Sequence, residues 1–201
     1  MSVGSGTTRT STILFVCSGN ICRSPLAALL LEAKLGPHAS AFDIRSRGTI
    51  AADGVPMDDD AAAQARRLGL DPSEHRSAPL TTEDVRQADL ILTAERSHRS
   101  AVVRLDPRAA GRTFTILQFA RILQGLEPAD LQVDDTIALA ATVGRLRGVV
   151  APPEEPEDDD VVDPYRRSED VHRAVADTLN EALSVIAAIL RNVAELGAQR
   201  T

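Results

Sequence analysis

The sequence contains few aromatic residues and few cysteines, and each shortage excludes a kind of protein. Aromatic side chains make up 2% of the 201 residues, with one tyrosine and no tryptophan. A ligand pocket built by ring stacking therefore has few residues to draw on. The two cysteines, at positions 17 and 22, are too few for the disulfide framework that holds small secreted domains together.

Long apolar runs and an excess of positive charge are also lacking. No apolar run approaches the roughly 20 residues that a membrane-spanning helix needs, and the N-terminal segment does not have the pattern of a signal peptide. The 22 basic and 29 acidic residues give a formal net charge of −7, whereas general binders of nucleic acid or anionic membranes present a basic face. We therefore expect a cytoplasmic protein that binds neither nucleic acid nor membranes.

The rest of the chain alternates between segments typical of strands and of helices. Apolar runs predict buried strands at 12–16 and 88–93, and two further strands are predicted at 42–47 and 112–119. Helical spacing and end signals predict helices at 26–35, 57–70, 95–105 and about 168–196. This alternation predicts an α/β fold, in which a parallel twisted sheet of four strands has helices on both faces.

The pattern predicts one domain, residues 12–201, preceded by a flexible tail of residues 1–11 that is rich in glycine, serine and threonine. An insertion at about 124–160 interrupts the alternation with an extra helix and an acidic loop. Its last part, 151–160, is rich in proline and acid and has no apolar anchor, so we expect this loop to be mobile.

The most informative stretch is CSGNICRSP at 17–25, between the first predicted strand and the first predicted helix. Cysteine followed six positions later by arginine is common by chance. The Gly-Asn between them and the serine after the arginine make the whole pattern rare. Ser24 suits a helix N-cap and Pro25 suits the first helical turn. The stretch is therefore predicted to be a loop that closes at the N-terminus of a helix.

Such a loop can bind a phosphate group and activate a thiol. Backbone N–H groups at a helix N-terminus point toward an anion, and Arg23 can hold two phosphate oxygens. Gly19 and Asn20 tolerate the left-handed backbone that a tight curl requires. The same amides stabilise a thiolate at Cys17, which makes it a candidate nucleophile, and Ser24 can donate its hydroxyl to that sulfur.

The stretch resembles the phosphate loop of the low-molecular-weight protein tyrosine phosphatases, which reads Cys-x-Gly-Asn-x-Cys-Arg-Ser-Pro. The resemblance covers roughly 11–196, with gaps around 124–160, and implies a phosphate loop after the first strand of a four-stranded parallel sheet. It implies a phosphatase without metal or cofactor, in which Cys17 accepts the phosphoryl group and Arg23 binds it. It also implies substrate contacts from the other loop residues: Ser18, Gly19, Asn20, Ile21, Cys22 and Ser24.

Similarity to the family extends to three more distant motifs. The sequence Asp-Pro-Tyr at 163–165 is similar to a family motif and implies that Asp163 is the general acid and base, with Tyr165 beside the substrate. A match to Ser-x-Gly-Thr places Ser46 in a hydrogen-bond network that supports the loop. A match around His-Arg-Ser places His75 in the same network.

The resemblance also has implications for redox chemistry and for partners. It implies a disulfide between Cys17 and Cys22 under oxidation, which would protect the nucleophile from overoxidation. The implied substrate is a phosphorylated protein or a small aryl phosphate. A cognate tyrosine kinase is a candidate partner, since bacterial relatives often oppose such kinases.

The chain departs from the family in the wall of the substrate pocket. Many bacterial members carry an aromatic residue shortly after Ser-x-Gly-Thr, but residues 49–54 contain none, and only Tyr165 remains to stack on a ring. Asp53 is expected at the rim, where it would repel a phosphate dianion. Protein arginine phosphatases share the loop, usually with threonine where this chain has Ile21, and Asp53 could favour a guanidinium. Both substrate classes therefore stay open.

Two further classes of protein are weaker alternatives. Thiol arsenate reductases share the loop but need further cysteines downstream, and none follows Cys22. A non-catalytic phosphate-binding module would lack the nucleophile, the arginine or the acid, whereas all three are present. We therefore predict a cysteine-dependent phosphatase acting on phosphotyrosine, with an arginine phosphatase as the first alternative.

Overall fold

The computed structural model describes residues 10–126 and 133–199. Its strands are β1 (Ser11–Cys17), β2 (Phe42–Gly48), β3 (Leu90–Thr93) and β4 (Thr113–Thr115). They form one parallel sheet in the order β2-β1-β3-β4. The prediction of a four-stranded parallel sheet with its phosphate loop after the first strand is confirmed.

Helices cover both faces of this sheet. Within the described residues they are α1 (Arg23–Leu35), α2 (Asp59–Arg67), α3 (Thr82–Gln87), α4 (Arg96–Leu105), α5 (Ile116–Gln124), α6 (Thr136–Leu146) and α7 (Glu169–Ala198). None of these helices is both long enough and apolar enough to cross a membrane.

The central strand β1 supplies both layers of the core because its side chains alternate between the two faces of the sheet. Ile13 and Phe15 point into the larger core, which includes residues of α1, α5 and α7. Leu14 and Val16 point into a smaller core, which includes residues of α3 and α4. All four side chains are buried, so the continuous apolar run correctly predicted a strand covered on both faces.

The fourth predicted strand is wrong over most of its length. β4 ends at Thr115, and α5 begins at Ile116. The Thr115 hydroxyl accepts a hydrogen bond from the Gln118 amide at 3.2 Å and so caps the new helix. Residues 116–123 are apolar at helical spacing, and a short apolar run does not distinguish a strand from a buried helix.

The predicted start of the first helix is also wrong in detail. The helix begins at Arg23, and its N-cap residue is Cys22, which makes no side-chain cap bond. Ser24 therefore lies inside the first turn rather than at the cap, which frees its hydroxyl for the loop. The short helix α3 was not predicted, although a capping box between Thr81 and Asp84 marks its start.

The region predicted to be an insertion contains helix α6, whose Leu139 and Val143 are buried in the larger core. Part of that region, 127–132, lies outside the described residues, as does most of the predicted tail.

The acidic segment 151–160 is anchored by ion pairs, contrary to the expectation of a mobile loop. Arg121 donates two hydrogen bonds to the buried Asp159, at 3.1 and 2.8 Å. Arg96 donates to Asp160 from its backbone at 2.7 Å and from its side chain at 3.0 Å. The sequence showed only the absence of apolar anchors, and arginines from α4 and α5 supply polar ones. This segment leads directly to Asp163.

Candidate active site

The loop at 18–22 connects the carboxyl end of β1 to the first turn of α1. It borders a cavity of about 430 Å³. The cavity is lined by Cys17, Ser18, Gly19, Ile21, Cys22, Arg23, Ile50, Ala52, Val55, Ser77, Asp163 and Tyr165. Residues from four separate parts of the chain therefore meet at this end of the sheet.

The sulfur of Cys17 is surrounded by hydrogen-bond donors. The Asn20 amide donates to Sγ at 3.3 Å, and the Ser24 hydroxyl lies 3.0 Å from it. Both groups can donate to a thiolate, and the sulfur also lies beside the positive end of the α1 dipole. The sulfur that lines the cavity therefore has two hydrogen-bonding neighbours within its own loop and helix start.

Asn20 holds the loop in its curled form. Its backbone is left-handed, with φ of 55°, which is costly for most residues and needs support from the surroundings. Its side-chain amide donates to the hydroxyls of Ser24 and Ser46, both at 2.9 Å, and its side-chain carbonyl accepts from the Ala78 amide at 2.9 Å. The His75 imidazole bonds to its backbone carbonyl at 2.7 Å. The structure thus brings Ser46 and His75 to the loop.

Burial lowers the pKa of His75, although its bond to Asn20 opposes that shift. A neutral imidazole can still donate one N–H group, so His75 donates to the Asn20 carbonyl without needing a positive charge.

Gly48, the last residue of β2, allows the loop to approach closely. A Cβ atom at this position would lie 2.5 Å from the Ser18 carbonyl oxygen and 2.9 Å from the Asn20 amide nitrogen. The following amides, of Thr49 and Ile50, donate to the carbonyls of Cys17 and Ser18 at 2.9 and 3.0 Å. The carboxyl end of β2 and the two residues after it therefore support the loop through backbone contacts.

The guanidinium of Arg23 is buried and fixed by three groups. It forms an ion pair with Glu95, donates to the Val161 carbonyl at 2.9 Å and lies 3.0 Å from the Asp163 carboxylate. Its Nε has no hydrogen-bond partner among the described residues. Burial alone would raise the pKa of Glu95, but the hydrogen bond and charge of Arg23 outweigh it and lower that pKa. Glu95 is therefore a carboxylate that neutralises Arg23.

A buried histidine, His98, contacts the residue after the nucleophile. Its Nε2 lies 2.8 Å from the Ser18 hydroxyl, and its Nδ1 accepts from the Glu95 amide at 3.1 Å. Because Nδ1 accepts, the neutral ring carries its hydrogen on Nε2 and donates it to Ser18. Burial lowers the pKa of His98, which favours this neutral form.

Sequence reasoning missed Glu95 and His98, although a signal for both was present. They follow β3, whose carboxyl end lies beside that of β1. In open parallel sheets, ligands bind at this edge, so polar residues just after a neighbouring strand are candidates for the same site.

Cys22 also lines the cavity, and both cysteines are free thiols. Burial raises the pKa of Cys22 well above its usual range, and the charge of Asp58 acts in the same direction. Cys22 is therefore a neutral thiol. The Cys17 sulfur differs from it in having the Asn20 amide and the Ser24 hydroxyl as close hydrogen-bonding neighbours.

The mouth of the cavity combines one carboxylate with a mostly apolar wall. Asp163 and Tyr165 are half exposed, and the Tyr165 amide donates to the Asp163 carboxylate at 3.3 Å. The guanidinium of Arg166 lies 5.1 Å from the centre of the Tyr165 ring. Ile50, another residue that lines the cavity, is 80% exposed. Asp53, expected at the rim, is exposed to solvent.

Comparison with known proteins identifies similar phosphatases. Residues 12–142 match the family model described as low molecular weight phosphotyrosine protein phosphatase. A protein-arginine-phosphatase from Geobacillus stearothermophilus is 38% identical over 107 residues, which are 53% of this chain and 70% of that relative. The probable low molecular weight protein-tyrosine-phosphatase AmsI from Erwinia amylovora is 35% identical over 136 residues, or 68% of this chain and 90% of that relative.

A solved structure extends the likeness beyond the residues of the family model. The tyrosine phosphatase Wzb from Escherichia coli K30, crystallised in complex with sulphate, has a TM-score of 0.66 and 27% sequence identity. The superposition covers 90% of this chain and 99% of that chain.

Proposed function

This chain belongs to the low molecular weight phosphotyrosine protein phosphatase family, and we propose that it hydrolyses phosphotyrosine in proteins through a phosphocysteine formed at Cys17. The observation that carries this proposal is the meeting of three groups at one cavity: the Cys17 sulfur, the Arg23 guanidinium and the Asp163 carboxylate. These are a nucleophile, an anion-binding group and a proton donor.

The substrate phosphate binds inside the loop. Arg23 is fixed by Glu95 and Val161, so its free Nε is directed by the protein and does not have to be ordered when the substrate binds. Backbone amides of the loop and the dipole of α1 supply further positive potential. Ser18, Gly19, Ile21 and Cys22 provide the remaining surface of the binding site.

In the first step the Cys17 thiolate attacks phosphorus, so that a sulfur–phosphorus bond forms as the bond from phosphorus to the tyrosine oxygen breaks. Protonated Asp163 gives its proton to the departing oxygen, which leaves as a neutral phenol. Asp163 is half exposed at the mouth of the cavity, where a leaving group would lie. Arg23 stabilises the charge on the transferring phosphoryl group.

In the second step water attacks the phosphocysteine. Asp163, now a carboxylate, takes a proton from the water as its oxygen bonds to phosphorus, and the sulfur leaves as a thiolate. The Ser24 hydroxyl, 3.0 Å from Sγ, donates a hydrogen bond to that thiolate. Inorganic phosphate then leaves, and Asp163 is protonated again for the next cycle.

The wall of the cavity favours an uncharged, planar substrate side chain. Ile21, Ile50, Val55 and Tyr165 offer apolar surface to a phenyl ring, and Tyr165 supplies the aromatic contact. A protein that carries phosphotyrosine, produced by a tyrosine kinase, is the substrate that this surface suits.

Phosphoarginine is the second candidate, because a protein-arginine-phosphatase is among the relatives with clear identity to this chain. A guanidinium phosphate would bring a polar group into contact with Ile21, which cannot hydrogen-bond to it. The two candidates are separated by the ratio of kcat/KM for matched phosphotyrosine and phosphoarginine peptides, which we expect to favour phosphotyrosine. A ratio that favours phosphoarginine would assign the second activity.

The mechanism is tested by turnover of an aryl phosphate in four variants of the full chain. Cys17→Ser, Arg23→Ala and Asp163→Ala should each lower kcat by at least a hundredfold. The control is Asp71→Ala, since Asp71 is exposed and bonds within its own turn, and it should leave kcat unchanged. Undiminished hydrolysis by Cys17→Ser would rule out the phosphocysteine. Rapid quenching of wild type during turnover, followed by detection of a phosphoryl group on Cys17, would identify the phosphocysteine directly.

A further inference from the structure

A second cluster of chemically capable side chains lies outside the cavity, between the start of α2 and the first turns of α7. It consists of Asp58, Asp60 and His172, which place potential ligand atoms within 4.8 Å of one another. None of the three takes part in the proposed phosphoryl transfer.

The buried histidine of this cluster has an unpartnered nitrogen. His172 is 2% exposed, and its Nε2 makes no hydrogen bond with any described residue. The nearest carboxylate oxygen, Oδ2 of Asp60, is 4.0 Å away, which is too far for a hydrogen bond. A buried polar atom without a partner costs free energy. Because Nε2 of His172 lies near two carboxylates, a cation shared by all three groups would remove that cost.

The two carboxylates differ in how firmly they are held. Oδ1 of Asp58 accepts from the amides of Asp60 and Ala61 at 3.2 and 3.3 Å, which fixes this side chain as the N-cap of α2. The Asp60 side chain is 60% exposed and can rotate toward the other two groups. The cluster thus has two positioned ligands and one that can close on an ion.

We propose that Asp58, Asp60 and His172 bind a divalent transition-metal cation, and that zinc is the ion that this set of ligands suits. One imidazole nitrogen and two carboxylate oxygens are donors that zinc accepts, whereas magnesium and calcium select all-oxygen sites. Ligand atoms around a tetrahedral zinc lie roughly 3.4 Å apart, so rotation of Asp60 would bring the cluster to bonding distance. Water would complete the coordination.

The position of the cluster gives the bound ion a structural role. Asp58 lies next to the phosphate loop, because its amide donates to the Ile21 carbonyl at 2.9 Å. His172 belongs to α7, which packs against both α1 and α2. A cation held between them would tie the start of α2, and with it the back of the loop, to the C-terminal helix. This inference does not depend on the substrate of the enzyme.

Zinc titration by isothermal calorimetry tests the site in the full chain without a histidine tag. Cys17→Ser serves as the background, because the thiolate would otherwise compete for the metal. One zinc ion should bind per chain, and Asp60→Asn and His172→Gln should each weaken its binding at least tenfold. Asp59→Asn is the matched control, since Asp59 is exposed on the same helical turn and lies outside the cluster; it should leave binding unchanged.

Cobalt substitution identifies the ligands independently. Cobalt bound by nitrogen and oxygen gives visible d–d bands without the sulfur-to-cobalt charge-transfer band that ligation by Cys22 would produce. Absence of zinc binding, binding that Asp60→Asn leaves unchanged, or a thiolate band would each overturn the proposal. Should His172→Gln fail to fold, Asp60→Asn still decides the outcome, because Asp60 is on the surface.

Discussion

The Nε2 atom of His98 lies 2.8 Å from the Ser18 hydroxyl, so a buried imidazole on α4 contacts the residue that follows the nucleophile. The same ring accepts a hydrogen bond from the amide of Glu95, whose carboxylate holds Arg23. His98 therefore connects the loop residue Ser18 to Glu95, the residue whose carboxylate holds Arg23.

His98→Phe should lower kcat/KM about fivefold, which corresponds to the roughly 1 kcal/mol of one hydrogen bond. His98→Gln should recover part of the loss, because its amide can still donate to Ser18. The specific check is a double-mutant cycle. In the Ser18→Ala background His98→Phe should cost little more, and full additivity of the two changes would contradict the role assigned to this contact.

Two histidines beside the phosphate loop, His75 and His98, should make stability depend on pH. Burial lowers the pKa of both His75 and His98 below the reference value of 6.5. Each ring therefore binds a proton more readily in the unfolded chain, and stability is lost as the pH falls below 6.5 toward the folded-state values. We expect Tm to decrease between pH 7.5 and 5.5.

The control for this pH dependence is the double variant His75→Gln, His98→Gln. Its Tm should be lower at neutral pH and should change less across the same range. An equally steep decrease in that variant would assign the effect to other groups.

Replacements of Asn20 should separate its backbone from its side-chain contributions. Asn20→Gly keeps the left-handed backbone but loses the bonds to Ser24, Ser46 and Ala78, at about 1 kcal/mol each. Asn20→Ala loses the same bonds and adds the cost of a left-handed alanine, about 1 kcal/mol more. Denaturant unfolding measures both, and alanine should be the less stable. Equal stabilities would mean that the loop relaxes its backbone.

Cys22 should protect Cys17 from irreversible oxidation. Peroxide oxidises the Cys17 thiolate to a sulfenic acid, and attack by the Cys22 thiol then forms a disulfide and releases water. Wild type inactivated by peroxide should therefore recover most activity with a thiol reductant, while Cys22→Ser should recover much less. Each protein is compared with its own untreated activity, and equal recovery of the two would exclude the protective disulfide.

The sequence predicted best where the chemistry is local. The loop from Cys17 to Arg23 consists of neighbouring residues, so strand, turn and helix signals together identified it. The same reasoning failed at Ile116, where an apolar run continued from β4 into α5 and its periodicity did not show where the strand ends. It also failed for the acidic segment, because the anchoring Arg121 is distant in sequence.

The sequence alone thus determined the α/β fold and the phosphate loop, since alternating apolar patterns and one rare motif specify both. The tertiary structure decided which distant residues complete the site. The parallel sheet brings the carboxyl ends of β1 and β3 side by side, and this places Glu95 and His98 against the loop. Ion pairs fix the segment that leads to Asp163, and its distance of 3.0 Å from Arg23 follows from packing between elements. Such contacts depend on strand order and helix placement, which no local pattern encodes.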